Sequence, residues 1–219
     1  LSLLLRAPYF LATRKHGVRV PFAGWDYGMR RDGAFEAVSE RAYDGSWRGP
    51  LVSIVVRTYG KRQEMLRQAL RSIANQTYQN IEVLVVEDGG DQSADLCRQM
   101  AEQTGMTVRH FGLEKVGRCV SGNRGLQESK GELVCFLDDD DLFFADHVEL
   151  LACKLTERTD IDAAYALAWE SAVVTDDDGR QREVMHRTVP LHREKFSRQK
   201  LSRCNLMPIQ AVLFRRQLY

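Results

Sequence analysis

A chain of 219 residues with 44% hydrophobic content is long enough for one large domain, or one domain with an appendage, around a buried core. Its 31 basic and 30 acidic residues give a net charge of +1, which argues against a general nucleic-acid-binding protein. Five cysteines, widely spaced and without a CxxC pair, argue against a disulfide framework or a zinc site and favour a reducing compartment. No apolar run reaches about 18 residues, so we expect no membrane-spanning helix.

The first 50 residues differ in pattern from the rest of the chain. Residues 1–20 favour a short amphipathic helix, and the Gly-punctuated, aromatic-containing sequence after them favours a connector that packs on a folded domain. A basic, Leu-rich start also suits peripheral association with a membrane surface. Docking on its own or a neighbouring domain is the more ordinary interpretation. We predict that residues 1–50 are an N-terminal extension or linker that packs on the core.

From Leu51 onward, apolar strands alternate with amphipathic helices. Strands are predicted over residues 51–56, 81–88, 107–111 and 133–137, and helices over residues 61–75, 92–104 and 119–129. The third strand is less apolar than the others, which predicts a position nearer the edge of the sheet. Alternation of this kind predicts right-handed βαβ units and an α/β fold with a doubly wound, mostly parallel sheet and helices on both faces.

The pattern changes to a smaller mixed region at about residue 160. A helix is predicted over residues 145–157, and strands over residues 161–169 and 209–214. A turn is predicted at residues 175–179, between short strands over residues 171–174 and 182–186. The chain begins at Leu1 rather than Met and stops within an apolar segment, so we expect it to be a piece of a longer polypeptide.

Four adjacent aspartates, Asp138–Asp141, follow directly on the apolar run at residues 133–137. The run has the length and hydrophobicity of a strand buried on both faces of a parallel sheet. Because adjacent carboxylates repel one another and are costly to bury unpaired, we expect them at the carboxyl edge of the sheet with a divalent cation. Carboxylate oxygens suit Mg²⁺ or Mn²⁺, which commonly complete their shells with substrate phosphates. The alternative is an acidic turn exposed to solvent.

Other predicted strands deliver polar residues to the same edge, where ligands of open α/β sheets bind. The first strand supplies Arg57, Thr58 and Tyr59, and the second supplies Glu87 and Asp88 before Gly89-Gly90, which allow close approach to the backbone. The chain contains neither GxxxxGK[ST] nor GxGxxG, so neither a P-loop nor a dinucleotide fingerprint explains the site.

Three segments resemble, in order and spacing, the family 2 glycosyltransferases: VSIVVRTYGKR, SIANQTYQNIEVLVVEDGG and GNRGLQESKGELVCFLDDDD. The resemblance covers about residues 51–160 and, more weakly, 205–217. It implies a GT-A fold, with residues 51–160 as the nucleotide-sugar-binding half and residues 161–219 as the start of an incomplete acceptor-side region. The implied activity is inverting transfer from a nucleoside diphosphate sugar, with a UDP- or dTDP-type donor favoured, to a hydroxyl of a glycan or lipid-linked acceptor.

The resemblance also implies a cofactor, a place in the cell and a role for individual residues. The implied cofactor is Mn²⁺ or Mg²⁺. The implied function is in cell-surface glycan synthesis, in the cytoplasm or at the inner face of the membrane. Asp140 is the expected direct metal ligand, with Asp139 next and Asp138 as a further candidate ligand. Tyr59 is expected against the nucleotide base, which Asp88 hydrogen-bonds. The residues expected to bind the nucleotide sugar are Arg57, Thr58, Tyr59, Asp88, Arg118, Asn123, Arg124, Asp138 and Asp139.

The sequence departs from the family pattern in several places. Pro is usual at the position of Arg57, Asn at that of Gly60 and Arg at that of Gly122, and Arg118 or Arg124 is expected to supply the missing charge. The family's general base lies downstream of the segment that MPIQAVLFRR matches, so we expect it beyond Tyr219. The acidic residues 176–178 fall in a predicted surface turn and are not given this role.

Structural interpretations and other functions remain open. Tyr59 suits a core aromatic at a strand end, Asp88 a turn residue and Asn123 a helix brace, while His147 suits a structural role better than metal ligation. A sugar-nucleotide nucleotidyltransferase would also use an α/β sheet, Mg²⁺ and aspartates, but it should have a Gly-rich loop where RTYGKRQE has one Gly. A non-catalytic nucleotide-binding module of the same fold is the other alternative.

Overall fold

The computed structural model describes residues 2–6, 47–175, 181–188, 196–205 and 207–219. Its strands are β1 (Ser2–Arg6), β2 (Val52–Thr58), β3 (Ile81–Asp88), β4 (Thr107–Leu113), β5 (Leu133–Asp138), β6 (Leu142–Phe143), β7 (Ala163–Tyr165), β8 (Leu167–Thr175), β9 (Gln181–Thr188) and β10 (Val212–Arg215). Its α-helices are α1 (Gln63–Ala74), α2 (Ala94–Thr104), α3 (Arg118–Glu128), α4 (His147–Glu157) and α5 (Arg198–Leu201). Short 3₁₀ turns cover Ile209–Ala211 and Arg216–Leu218.

The larger sheet has six strands in the spatial order β4-β3-β2-β5-β10-β7. Strands β4, β3, β2 and β5 run parallel, and β10 runs antiparallel to both β5 and β7. This confirms the predicted α/β fold with a mostly parallel sheet. Strand β4 lies at the edge of the sheet, as its lower hydrophobicity predicted.

Helices cover both faces of this sheet, as predicted. On one face, alternate β2 residues such as Ile54 and Val56 pack in a core cluster with apolar residues of α1, α2 and α4. On the other face, Val55 belongs to a smaller cluster against which Leu126 of α3 packs. Helix α3 approaches β2 closely because it has a glycine there: a Cβ on Gly125 would lie 2.2 Å from Val55 Cγ1. The sheet is therefore covered by helices on both faces.

A smaller sheet has the order β6-β1-β8-β9 and was not predicted. The helix predicted at the start of the chain is wrong for residues 2–6, which form β1 between β6 and β8. A short isolated helix is marginal in water, whereas a strand between two others has backbone partners on both sides. The rest of the predicted helix and the predicted connector up to residue 46 lie outside the described residues.

The predictions for the mixed region need two further corrections. The single strand predicted over residues 161–169 is two strands, because the chain passes at Ala166 from β7 in the larger sheet to β8 in the smaller one. Residues 209–211 form a 3₁₀ turn before β10 rather than the start of the strand. Strands β8 and β9 pair antiparallel on either side of the predicted turn, of which residues 176–179 lie outside the described residues. None of the described helices is long and apolar enough to cross a membrane.

Candidate functional site

The candidate site lies where β2, β3 and β5 end at the same edge of the larger sheet. The last residues of these strands are Thr58, Asp88 and Asp138. The parallel register sets Arg57 beside Asp138 and Thr58 beside Glu87. The structure therefore brings the polar ends of the three strands to one edge, which is where ligands bind in open α/β sheets.

Asp138 is held by an arginine from the neighbouring strand. Arg57 donates from Nε at 2.8 Å and from Nη2 at 2.6 Å, both to Asp138 Oδ1. The guanidinium carbon lies 5.2 Å from the centre of the Phe136 ring, a cation–π contact. Asp138 is 21% exposed, and both donated bonds reach the same oxygen, which fixes the carboxylate while its other oxygen takes no part in them.

Asp139 is the most deeply placed of the first three aspartates, with 1% of its side chain exposed. It accepts a hydrogen bond of 2.7 Å from Thr58 Oγ1 and forms an ion pair of 2.8 Å with Arg62 Nη1. Burial raises the pKa of Asp139 to about 6, although the hydrogen bond from Thr58 and the charge of Arg62 oppose the rise. At neutral pH this carboxylate is therefore mostly ionised and held by two donors.

Asp140 and Asp141 differ sharply in exposure. Asp140 is 35% exposed and pairs with Arg62 Nη2 at 2.6 Å. Asp141 is buried and accepts a hydrogen bond from the amide of Gln210, which lies just before β10. Of the four aspartates, Asp140 is therefore well placed to meet a ligand, and Asp141 joins the acidic segment to the antiparallel strand.

Asp88 organises the loop between β4 and α3. Its Oδ1 accepts hydrogen bonds from the backbone N–H groups of Val116 at 2.7 Å and Gly117 at 3.0 Å. The Gly89 that follows has a φ of +101°, a conformation that glycine adopts without strain. Asp88 is therefore more than an ordinary turn residue, because it fixes a loop on the opposite side of the site.

Tyr59 and Glu87 have opposite environments. Tyr59 is 57% exposed, so its interpretation as a core aromatic is wrong. Its ring lies 4.9 Å from the guanidinium carbon of Arg62. Glu87 is fully buried, accepts a hydrogen bond of 2.8 Å from the N–H of Ser93, and lies 3.1 Å from His110 Nε2. Tyr59 is available to a ligand, whereas Glu87 has a structural role.

The three predicted site residues of α3 are exposed and stand apart from the aspartates. Arg118 begins the helix, and Asn123 lies one turn further on. Arg124 pairs with Glu128 at 2.9 Å and lies over the Phe111 ring. Among the described residues, no hydrogen bond or ion pair joins these three side chains to Asp138, Asp139 or Asp140. That Arg118 or Arg124 supplies the missing charge stays a prediction; Arg57 Nη1 lies 3.8 Å from where a Cβ of Gly122 would be.

Two residues that bind the aspartates were not predicted from the sequence. Arg62 pairs with two of the four aspartates, and Gln210 donates to a third. Arg62 ends the first segment that resembles the family, and Gln210 lies within MPIQAVLFRR, so position in the matched segments was the only available signal. Neither residue type by itself indicates such a contact.

The chemistry of the donor set fits a divalent cation completed by a ligand's oxygens. The described residues contain no converging group of three or more His, Cys, Asp or Glu side chains. Mg²⁺-type ions, however, commonly use one or two carboxylates together with substrate phosphates. His147 does not join such a set, because it is buried with its ring 4.4 Å from that of Phe143, and burial lowers its pKa to about 3.

Known proteins similar to this chain include two curated bacterial glycosyltransferases. The chain is 36% identical over 107 residues to the glycosyltransferase GlyA of Streptococcus pneumoniae, covering 48% of this chain and 15% of GlyA. It is 30% identical over 110 residues to the GalNAc(5)-diNAcBac-PP-undecaprenol beta-1,3-glucosyltransferase of Campylobacter jejuni, covering 49% of this chain and 35% of that protein. The chain therefore spans only a minor part of the length of these relatives.

The fold comparison and the family model agree with these relatives. The crystal structure of Staphylococcus aureus TarS 1-349 in complex with UDP has a TM-score of 0.53 and 19% identity, covering 77% of this chain and 47% of that chain. This likeness concerns the fold. The model described as "Glycosyl transferase family 2" matches residues 53–218, which is most of the chain. The chain belongs to the family 2 glycosyltransferases.

Proposed function

We propose that this chain carries the donor site of a metal-dependent, inverting glycosyltransferase. The enzyme moves a sugar from a nucleoside diphosphate sugar to a hydroxyl of a glycan or lipid-linked acceptor, in cell-surface glycan synthesis. Membership of the family supports sugar transfer. The observation that carries the proposal is that Tyr59, Asp88 and Asp138–Asp140 follow or end neighbouring strands at the same carboxyl edge of the sheet. No residue of the described chain is assigned as the general base.

The proposed donors carry uracil or thymine. Asp88 Oδ1 already accepts two backbone hydrogen bonds, and the same carboxylate has a second oxygen that suits the imide N–H of these bases. Tyr59 presents an exposed ring on which a base stacks. Adenine has no imide N–H and gains less from this carboxylate.

Mn²⁺ or Mg²⁺ is the proposed cofactor. Asp140 is the proposed direct ligand because its carboxylate is the most exposed of the three, with Asp138 as a further ligand. When bound, the ion stabilises the negative charge on the departing diphosphate as a Lewis acid. Arg57 orients Asp138, and Thr58 and Arg62 hold Asp139 behind it.

Residues of α3 are proposed to receive the diphosphate. Arg118 is exposed at the first turn of this 11-residue helix, where backbone N–H groups favour an anion. Asn123 is exposed further along the same helix and supplies a polar group near the phosphates, whereas Arg124 would have to leave its pair with Glu128 to join it. Action at the inner face of a membrane stays a prediction.

Calorimetric titration with nucleotides tests this function. We expect UDP or dTDP to bind in the presence of Mn²⁺, to bind much more weakly with a chelator, and to bind more tightly than ADP. Equal binding of ADP, or equal affinity with and without metal, contradicts the proposal. Release of pyrophosphate from a mixture of UTP and a sugar 1-phosphate would favour the nucleotidyltransferase alternative. If UDP or dTDP binds as expected, titration with a panel of UDP- and dTDP-sugars identifies the donor.

A further inference from the structure

We propose that Arg62 is a built-in counter-ion of the metal site, which competes with a free divalent cation and moves to the phosphates of the donor when both bind. Metal and nucleoside diphosphate would then bind cooperatively, because each relieves the cost of binding the other. This inference rests on the proposed function and gives a role to a residue that the sequence did not single out.

A single guanidinium spans Asp140, the proposed direct metal ligand, and its neighbour Asp139. Arg62 Nη1 lies 2.8 Å from Asp139 Oδ1, and Nη2 lies 2.6 Å from Asp140 Oδ2. The planar fork of an arginine suits two acceptors at once, and such charge-assisted bonds are strong. A divalent cation bound at Asp140 would therefore lie close to this guanidinium, and repulsion between the two cations opposes its binding while the ion pairs remain.

The two arginines at this edge differ in exposure and in the number of aspartates that their guanidinium groups contact. The Arg57 guanidinium pairs with Asp138, has 11% of its side chain exposed, and stacks on Phe136. Arg62 has 22% of its side chain exposed, and its guanidinium lies over the ring of Tyr59. Gly60, which follows Tyr59, has a positive φ of +47°. Its backbone is anchored just before α1, where its carbonyl accepts a hydrogen bond from Leu66. The side chain can therefore reorient while α1 keeps its place.

The balance of charge explains why a diphosphate would change the outcome. In the described ion pairs, Arg62 supplies the positive charge that faces both Asp139 and Asp140. A metal ion alone would displace it towards solvent without a new anionic partner. A bound diphosphate offers the guanidinium a bidentate anion and offers the metal further oxygen ligands. The coupling between the two ligands is therefore positive, and by thermodynamic linkage it is reciprocal.

The test measures Mn²⁺ binding to the whole chain, by calorimetry or by the electron paramagnetic resonance signal of free Mn²⁺. In the Arg62→Gln variant we expect Mn²⁺ without nucleotide to bind about 10-fold more tightly than in the wild type, within the usual range of coupling between sites. We also expect UDP to bind more weakly in chelator, and the factor by which UDP improves Mn²⁺ affinity to fall. None of these readouts requires sugar transfer.

Arg67→Gln is the matched control. Arg67 lies on α1 and makes a pair of 3.5 Å with the exposed Glu64, so its substitution removes the same charge without touching the aspartates. We expect this variant to bind Mn²⁺ like the wild type. Arg62→Lys keeps the charge but lacks the planar fork, and we expect an intermediate affinity.

The counter-ion proposal is overturned if Arg62→Gln binds Mn²⁺ no more tightly than the wild type, with a circular dichroism spectrum showing that it is folded. If that variant does not fold, an Arg62→Lys affinity equal to that of the wild type overturns the proposal instead. If the wild type shows no metal-dependent UDP binding, the proposed function is rejected. The comparison of Mn²⁺ affinities without nucleotide still decides the role of Arg62 in that case.

Discussion

The parallel strands of the larger sheet carry an ionic cluster at each end. The amino-end cluster consists of Ser53, Glu82, Arg109, Arg124 and Glu128. The carboxyl-end cluster consists of Arg57, Thr58, Arg62 and Asp138–Asp141. Both clusters use arginine–carboxylate pairs and a hydroxyl donor, so they differ in the balance of positive and negative charge rather than in the kinds of group that they contain.

The amino-end cluster is closed on itself. Glu82 is 4% exposed and accepts hydrogen bonds of 2.6 Å from both Ser53 Oγ and the N–H of Lys130, and Arg109 lies 3.4 Å away. Arg109 also reaches Glu128, which Arg124 pairs from the other side. Two acids meet two arginines, so this cluster needs no ligand and joins β2, β3, β4 and α3.

The carboxyl-end cluster keeps an excess of negative charge. Its four aspartates meet two arginines, and two of the aspartates are partly open to solvent. Like-charged groups so close together favour a cation or a proton. The comparison teaches that a cluster with balanced charge satisfies itself and stabilises the fold, whereas a cluster with excess negative charge supports the proposal that this edge binds a cation.

The largest effect on stability is expected from breaking the amino-end cluster. Glu82→Ala leaves a hydroxyl and a backbone N–H without their acceptor and removes one of two carboxylate partners from the half-buried Arg109, so the free energy of unfolding should fall by about 2–4 kcal/mol. Urea denaturation measures this, and Glu64→Ala, at an exposed pair, should cost less than about 1 kcal/mol. Folded Glu82→Ala protein should still bind UDP with Mn²⁺. A loss below that of the control would contradict the division between the clusters.

Asp140→Asn tests the carboxyl-end cluster directly. Loss of an outer-sphere group at a metal site costs roughly 10- to 100-fold in affinity. Loss of the proposed direct ligand should therefore remove about 100-fold of the gain in UDP affinity that Mn²⁺ provides. Titrations with and without chelator measure this gain, and Asp141→Asn, at the buried aspartate bonded to Gln210, is the control and should change it less. An undiminished gain in Asp140→Asn would reject Asp140 as the ligand.

Asp88 sharpens the comparison by testing base selection away from the charge excess. Asp88→Ala should weaken UDP binding by about 1.5–3 kcal/mol, the range for a hydrogen bond to a charged group, and should hardly affect ADP. Asp88→Asn keeps an acceptor for the loop N–H groups and should still reduce the preference for UDP. Asp91→Ala removes a nearby exposed carboxylate as a control. Equal loss of all nucleotides in Asp88→Asn would point to another pocket.

His147 provides the smallest and most specific test, because it lies in the chain just after the acidic segment but is kept neutral. Burial lowers its pKa to about 3, so between this value and about 6.5 the unfolded chain binds the proton that the folded chain rejects. This group alone should therefore lower the free energy of unfolding by about 2 kcal/mol when pH falls from 8 to 5. His147→Phe keeps a ring against Phe143 and should lose this part of the pH dependence in urea titrations. An unchanged dependence would show that His147 is not the group responsible.

The sequence by itself determined the parallel part of the fold and the edge at which the site lies. Continuous apolar runs such as residues 81–88 predicted buried strands, and helical spacing predicted α1 to α3. Strand direction then placed Asp88 and Asp138–Asp141 at one edge, because the carboxyl ends of parallel strands point the same way. These features depend on local pattern and chain order, which a single sequence contains.

Only the tertiary structure decided how the charges pair and what closes the sheet. The bond from Gln210 to Asp141 joins residues 69 apart, and that from Arg62 to Asp140 joins residues 78 apart. The strand at residues 2–6 likewise depends on partners far along the chain rather than on its own Leu-rich pattern. Which of several opposite charges a side chain pairs with depends on their distance and burial. Distance and burial are set only when distant segments of the chain pack together.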